Sequence, residues 1–284
     1  MPRPPRFIIL AVAFLLAYVC VSYGQDQGNK EVTVTKCWDF PAEGVVAVAT
    51  NDKDIFAATS SGGVFALSSA GEKLWSTDLG GELRPYIRPS GGSVWVSSVS
   101  TPSLAYRSLS ADTGVPGAVL DSELQRVRPS GVPANAAASA SIGQISLFGD
   151  HAGNLTAITK GGGSAWGYRT GGGVITIIPV PDQFIVLSRD NFVYAFNPRS
   201  GGIRWKHRLK GRAEHFALNG STLLVSILDQ SGASLLDVST GRIIGQIVLD
   251  QKQLTYDPAV LGGQFVVATN DGITGYSIAG CSNK

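Results

Sequence analysis

Reactive side chains are scarce in this chain of 284 residues, which holds three histidines, three cysteines and one methionine. His151, His207 and His215 form no zinc-type pair at close spacing, so no metal site is expected. Gly161–Gly163 and Gly171–Gly173 lack the Lys-Ser/Thr ending of a phosphate loop, and Ser164 in GGSAWG departs from a nucleophile elbow. No acid, base, nucleophile or metal set converges, so no catalytic residue and no cofactor are assigned. An excess of one charge is also missing: 23 Lys and Arg stand against 21 Asp and Glu. Without Arg3 and Arg6 the two signs balance, which leaves no basic footprint for nucleic acid or an anionic membrane.

The long apolar run, Phe7 to Val21, follows Arg3 and Arg6 and is followed by Ser22 and Gly24, small residues at the positions a signal peptidase reads. At about 15 to 17 residues it is short for a membrane span. Residues 1–24 are therefore predicted to be a signal peptide, 25–31 a short linker and 32–284 the folded domain. The expected location is the secretory pathway, periplasmic or extracellular, with no transmembrane segment after cleavage. Cys20 follows Val19 rather than a small residue, so lipid attachment is not expected.

What the chain does have is glycine, 35 residues of it, and a hairpin echoed five times. The copies are GGVFALSSAGEKLW (Gly62–Trp75), GNLTAITKGGGSAW (Gly153–Trp166), DNFVYAFNPRSGGIRW (Asp190–Trp205), SGASLLDVSTGRIIG (Ser231–Gly245) and the truncated DGITGYSIAGC (Asp271–Cys281). Each opens on a turn, alternates as a strand, turns on Gly and enters a second strand. Self-similarity at roughly 40 residues predicts an all-β propeller of four-stranded blades. Five units are placed at Val45–Asp78, Tyr86–Leu124, Val127–Thr170, Val174–Lys210 and Glu214–Leu249. The third carries a small-residue insertion, Val132–Ser141, read as a mobile surface loop. Six blades is the count, with five or seven left open by the irregular second and third units.

The sixth unit, Leu254–Tyr276, supplies only three strands. Val32–Phe40 (VTVTKCWDF) alternates and carries Trp38 where other units carry Trp75, Trp166 and Trp205, so the N-terminal strand is expected to complete the last blade. After signal cleavage Cys37 and Cys281 remain, and in the hairpin frame they flank one tight turn. Such positions lie about 5 to 7 Å apart between Cα atoms, within disulfide reach. A disulfide is expected, the alternative being two free buried thiols.

These hairpins resemble the repeat of quinoprotein-like (PQQ-like) β-propellers, in which Ala-x-Asp-x-x-Thr-Gly is followed by Trp. Ala195, Asn197, Ser200, Gly201 and Trp205 match with Asn for Asp and Ser for Thr, and Leu235, Asp237, Thr240 and Gly241 match with Gly245 in place of Trp. The resemblance implies structural, blade-docking roles for Trp38, Trp75, Trp166 and Trp205, with quinone stacking as the sharper alternative. The enzymes of that family use a larger propeller and commonly a vicinal Cys pair, which this chain lacks. Its non-enzymatic, BamB-like branch is the nearer analogy and implies a protein-binding or assembly scaffold. The alternative is a small-ligand or quinone-binding propeller of a redox or sensory system.

A second repeated element, YIRPSGG (Tyr86–Gly92) and RVRPSG (Arg126–Gly131), marks a candidate site. Both copies are expected to begin a blade on innermost strands, bringing Arg88 and Arg128 to one channel mouth with Tyr86, His215, Tyr256 and Asp257. Paired guanidiniums there suit a carboxylate or an acidic partner loop. The bland alternative pairs them internally with Asp257 or Glu214. Asn154-Leu155-Thr156 and Asn219-Gly220-Ser221 read as glycosylation acceptors in a eukaryotic host. The expected protein is a monomer that binds a protein or peptide partner.

Overall fold

The computed structural model describes residues 32–100, 103–120 and 135–281. The predicted signal peptide and linker, and Arg128, lie outside them. The described residues form 24 strands and no helix, arranged as six antiparallel sheets of four. The first strand, β1 (Thr35–Pro41), belongs to the last sheet. Blade one is β2 (Val45–Thr50), β3 (Asp54–Thr59), β4 (Gly63–Ser68) and β5 (Lys73–Asp78). Blade two is β6 (Leu83–Ser90), β7 (Ser93–Ser100), β8 (Ser103–Ser110) and β9 (Pro116–Leu120). Blade three is β10 (Ala136–Ile142), β11 (Ile145–Asp150), β12 (Asn154–Thr159) and β13 (Ser164–Arg169). Blade four is β14 (Val174–Val180), β15 (Gln183–Ser188), β16 (Phe192–Phe196) and β17 (Ile203–Arg208). Blade five is β18 (Ala213–Asn219), β19 (Thr222–Ile227), β20 (Ala233–Asp237) and β21 (Ile243–Ile247). Blade six is β22 (Ala259–Leu261), β23 (Gln264–Thr269), β24 (Gly272–Ser277) and then β1, which pairs antiparallel with β24 in the register Trp38 to Gly275.

Burial follows position within the blade. The second strands β3, β15 and β19 are buried at every residue, because each is covered on both faces by neighbouring blades. They accordingly read as near-continuous apolar runs. The outer strands β5, β13 and β17 alternate half-buried with exposed residues, one face inward and one to solvent. Innermost strands of neighbouring blades approach one another, β2 with β6 and β22, β10 with β14, and β18 with β22.

Apolar clusters sit between blades rather than within them. Phe56, Val64, Leu83 and Val94 join blades one and two; Leu187, Val193, Leu223 and Val225 join four and five. Full burial of each such side chain contributes about 1.5–3 kcal/mol. The recurring tryptophans extend these seams. Trp75 Nε1 donates to Ala111 O at 2.8 Å, Trp166 Nε1 to Pro198 O at 2.7 Å and Trp205 Nε1 to Val238 O at 2.9 Å, each reaching the next blade. Trp38 Nε1 donates to Gln264 Oε1 within its own blade at 2.8 Å.

The turn that receives each indole explains the Asn/Asp-to-Gly spacing. Asn197 Oδ1 accepts from the backbone N–H of Arg199 and Ser200, and Gly201 N–H closes the turn onto Asn197 O at 2.9 Å. Gly201 sits at φ +69°, and a Cβ there would lie 2.5 Å from Trp166 Cδ2. Glycine is required twice over, by the left-handed backbone and by the indole lying on it.

One expectation is corrected. Within Val132–Ser141, read as a mobile surface loop, Ala136–Ser141 is strand, lying in β10, the innermost strand of blade three, while Val132–Ala134 lie outside the described residues. Its small residues have weak intrinsic strand preference, but pairing with β11 and close approach to β14 hold them extended. RVRPSG (Arg126–Gly131) lies outside the described residues. Cys37 and Cys281 are bonded, with Cα atoms 5.3 Å apart across 244 residues of sequence.

Two outcomes follow. Cys37→Ser with Cys281→Ser frees the strand that completes blade six, and urea unfolding should show a loss of about 2–5 kcal/mol, reproduced by reducing the unsubstituted protein. Gly201→Ala should cost about 1–3 kcal/mol, from backbone strain and the overlap with Trp166, read as a lower urea midpoint at unchanged slope.

Candidate functional site at the channel mouth

The innermost strands carry the candidate residues. Counted back from the hairpin that ends each of them, Tyr86 on β6, His215 on β18 and Asp257 just ahead of β22 share one level, four residues before Ser90, Asn219 and Leu261 respectively. Val46, Ala138 and Thr176 hold that level in blades one, three and four. Arg88 lies two residues on from Tyr86, about 7 Å further along the strand and on the same face.

The structure brings some of these groups together and keeps others apart. His215 Nδ1 and Asp257 Oδ1 are 3.2 Å apart across the seam of blades five and six, with side chains 18% and 50% exposed. His215 N–H also donates to Ser226 Oγ, which fixes its strand. Asp257 thus partners a histidine rather than an arginine, and Arg88 has no ion pair among the described residues. Tyr86 meets Tyr106 edge-on, with ring centroids 5.2 Å apart, and Tyr256 packs against the clusters at the seams of blades one and two and of blades six and one. Tyr106, on β8, belongs to no motif in the sequence that would single it out. The His215–Asp257 pair was legible in principle, since their separation of 42 residues is close to one blade repeat.

Further clefts lie along the seam of blades four and five. One of 540 Å³ is lined by His207, Arg208, Lys210, Gln230, Gln246 and Val248 among others, and burial pushes the His207 imidazole below its ordinary pKa. One of 320 Å³ lies beside the Asp182–Arg204 ion pair and Gln183. Neither includes a channel-mouth residue. Among the described residues no three His, Cys, Asp or Glu side chains are grouped as metal ligands.

A family described as outer membrane protein assembly factor BamB matches residues 24–173 and 189–281. The chain belongs to this BamB family. No curated protein matches it. Among solved structures, the β-propeller domain of Cps50 (Swd1) from Myceliophteria thermophila is similar at TM-score 0.64 and 10% identity, covering 86% of this chain and 99% of that one. BamB from Moraxella catarrhalis is similar at TM-score 0.45 and 17% identity, covering 86% of this chain and 98% of that one. The first likeness bears on the fold alone. The Trp and turn-Gly positions described above are the recurring signature of this chain, and the paired His215 and Asp257 stand outside it.

Because the His215–Asp257 contact is half open to water, it should be worth little to the fold. Asp257→Asn is expected to change unfolding free energy by less than about 1 kcal/mol. A larger loss in thermal or urea melts would mark the pair as a structural element instead of a binding group.

Proposed function

We propose that this chain is an exported, non-enzymatic, monomeric propeller that binds a protein or peptide partner at the channel mouth. The observation that carries the reading is how its aromatic and polar groups are divided. Trp38, Trp75, Trp166 and Trp205 each lie on a neighbouring turn glycine with the indole N–H bonded, so their ring surface is spent on blade docking rather than on a planar quinone. Tyr86, Arg88 and the half-exposed Asp257 take no part in blade docking, and at the mouth they would offer an aromatic surface, a positive fork and a negative group. Such a mixed opening suits a polar peptide loop.

The family description supports a role in assembly, since a factor that assists assembly must hold another polypeptide. The bonded Cys37–Cys281 pair supports an oxidising, exported setting. Arg88 would grip a partner carboxylate, and charge-assisted contacts of that kind contribute about 1.5–3 kcal/mol.

A photo-crosslinking residue at Tyr86, in cells of the native host, should give one discrete protein adduct. Arg88→Glu should reduce its yield about tenfold or more, and the same probe at Leu74 should give none. Turnover of a substrate by the purified chain, or a rise in melting temperature on adding quinone with calcium, would overturn the reading.

A further inference from the structure

The docking tryptophans are followed by a second row of contacts, and one seam lacks it. Two residues on from its Trp, an outer strand presents another side chain on the same face, toward the next blade. These side chains are Phe40, Thr77, Tyr168 and His207. In blade five Gly245 holds the indole's place and Val32 and Val34 pack over it, so the seam of blades five and six is closed differently.

Three of the four engage the neighbouring blade. Phe40 of blade six meets Phe65 of blade one with ring centroids 5.8 Å apart, and Tyr168 of blade three meets Tyr194 of blade four at 6.0 Å. Thr77 of blade one donates to Gly114 O of blade two at 2.7 Å, and Arg107 Nη1 of blade two donates back to Leu79 O at 3.2 Å. His207 is the exception. Its imidazole makes no ring contact and no side-chain hydrogen bond among the described residues.

The register shows what is missing opposite His207. Phe65 and Tyr194 each precede the residue paired with a Trp, Ala66 with Trp75 and Ala195 with Trp205; in blade five Leu235 pairs with Gly245, so the same place falls to Ser234. A serine where other blades carry a ring leaves the seam open, and the 540 Å³ cleft lies there. Val225, Ser234 and Gln246 form one cross-strand row on its blade-five wall, and His207 belongs to its blade-four wall. The volume falls within the roughly 300–1,000 Å³ usual for small-molecule sites.

The lining carries charge of one sign. Lys210, just past the end of β17, and Arg208 both line the cleft, both are exposed, and neither has an ion pair among the described residues. No Asp or Glu lines it. Burial favours the uncharged imidazole of His207, a flat ring suited to stacking.

We propose that this cleft binds a small aromatic carboxylate, whose ring takes against His207 the place that Phe65 and Tyr194 fill at other seams and whose carboxylate meets Lys210 with Arg208 beside it. A neutral ring would leave the two cations unanswered, and an aliphatic acid would leave the ring's place unfilled. The site shares no residue with the channel mouth and stands whether or not the mouth holds a polypeptide.

The probe is 2-naphthoate, titrated into the purified chain and followed by calorimetry and by amide NMR shifts. Saturable binding is expected, about tenfold or more weaker for 2-naphthalenemethanol, which keeps the rings and loses the charge. Lys210→Gln combined with Arg208→Gln should weaken naphthoate binding by a similar factor. Lys206→Gln should not, since Lys206 lies over Phe192 and does not line the cleft. Ser234→Phe supplies from within the ring that other seams carry and should abolish binding; the Lys210 and Arg208 changes decide the matter if that variant does not fold. Amides of Leu209, Ser234 and Gln246 should shift on titration. No saturable binding, equal affinity for the alcohol, binding indifferent to the Lys210 and Arg208 changes, or shifts confined to β6 and β18 would each overturn the proposal.

Discussion

The contact on which the architecture depends is an indole laid on a glycine turn. A propeller blade has almost no core of its own, because four twisted strands expose apolar residues on both faces. Stability must come from the seams. Apolar pairs such as Val64 with Val94 are non-directional and would tolerate a blade sliding against its neighbour. The indole is directional. Its N–H must reach one carbonyl, Ala111 O for Trp75 or Val238 O for Trp205, while its ring rests where the next blade has no Cβ. That combination fixes the angle between blades, and with it the level at which inner-strand residues meet.

Seen this way, the Asn/Asp-x-x-Ser/Thr-Gly spacing and the Trp are one device seen from two blades. Asp237 Oδ1 accepts from Thr240 N–H and Oγ1–H, which holds the turn so that Gly241 N–H returns to Asp237 O. The glycine then offers a flat surface to Trp205 of the preceding blade. Neither half has a use alone, so their repetition across blades speaks for the fold and says little about chemistry.

This is why the fold was legible in the sequence and the site was only partly so. Blades one and four could be read because their second strands, DIFAAT and QFIVLS, are buried on both faces and their outer strands carry Trp. The N-terminal completion could be read because Trp38 and Cys37 stand in the frame of the hairpin that Gly275 and Cys281 leave unfinished. The first strand of blade three was misread because Ala136–Ser141 (AAASAS) has neither branched nor aromatic residues to announce a strand; its extended form is imposed by β11 and β14. At the mouth, single residues such as His215 and Asp257 leave no repeating trace, and their meeting depends on blade geometry that composition does not carry.

A device that repeats also makes its omissions informative. Gly245 could not be a tryptophan in this chain, because its Cβ would stand 3.0 Å from Val32 Cγ2, and the same segment then runs into β1 to complete blade six. The missing indole in blade five is thus coupled to the N-terminal strand: the space left by one lets the other pass and reach β24. Cys37–Cys281 holds that strand just beyond the crossing, so the disulfide, the glycine and the two valines act on one junction.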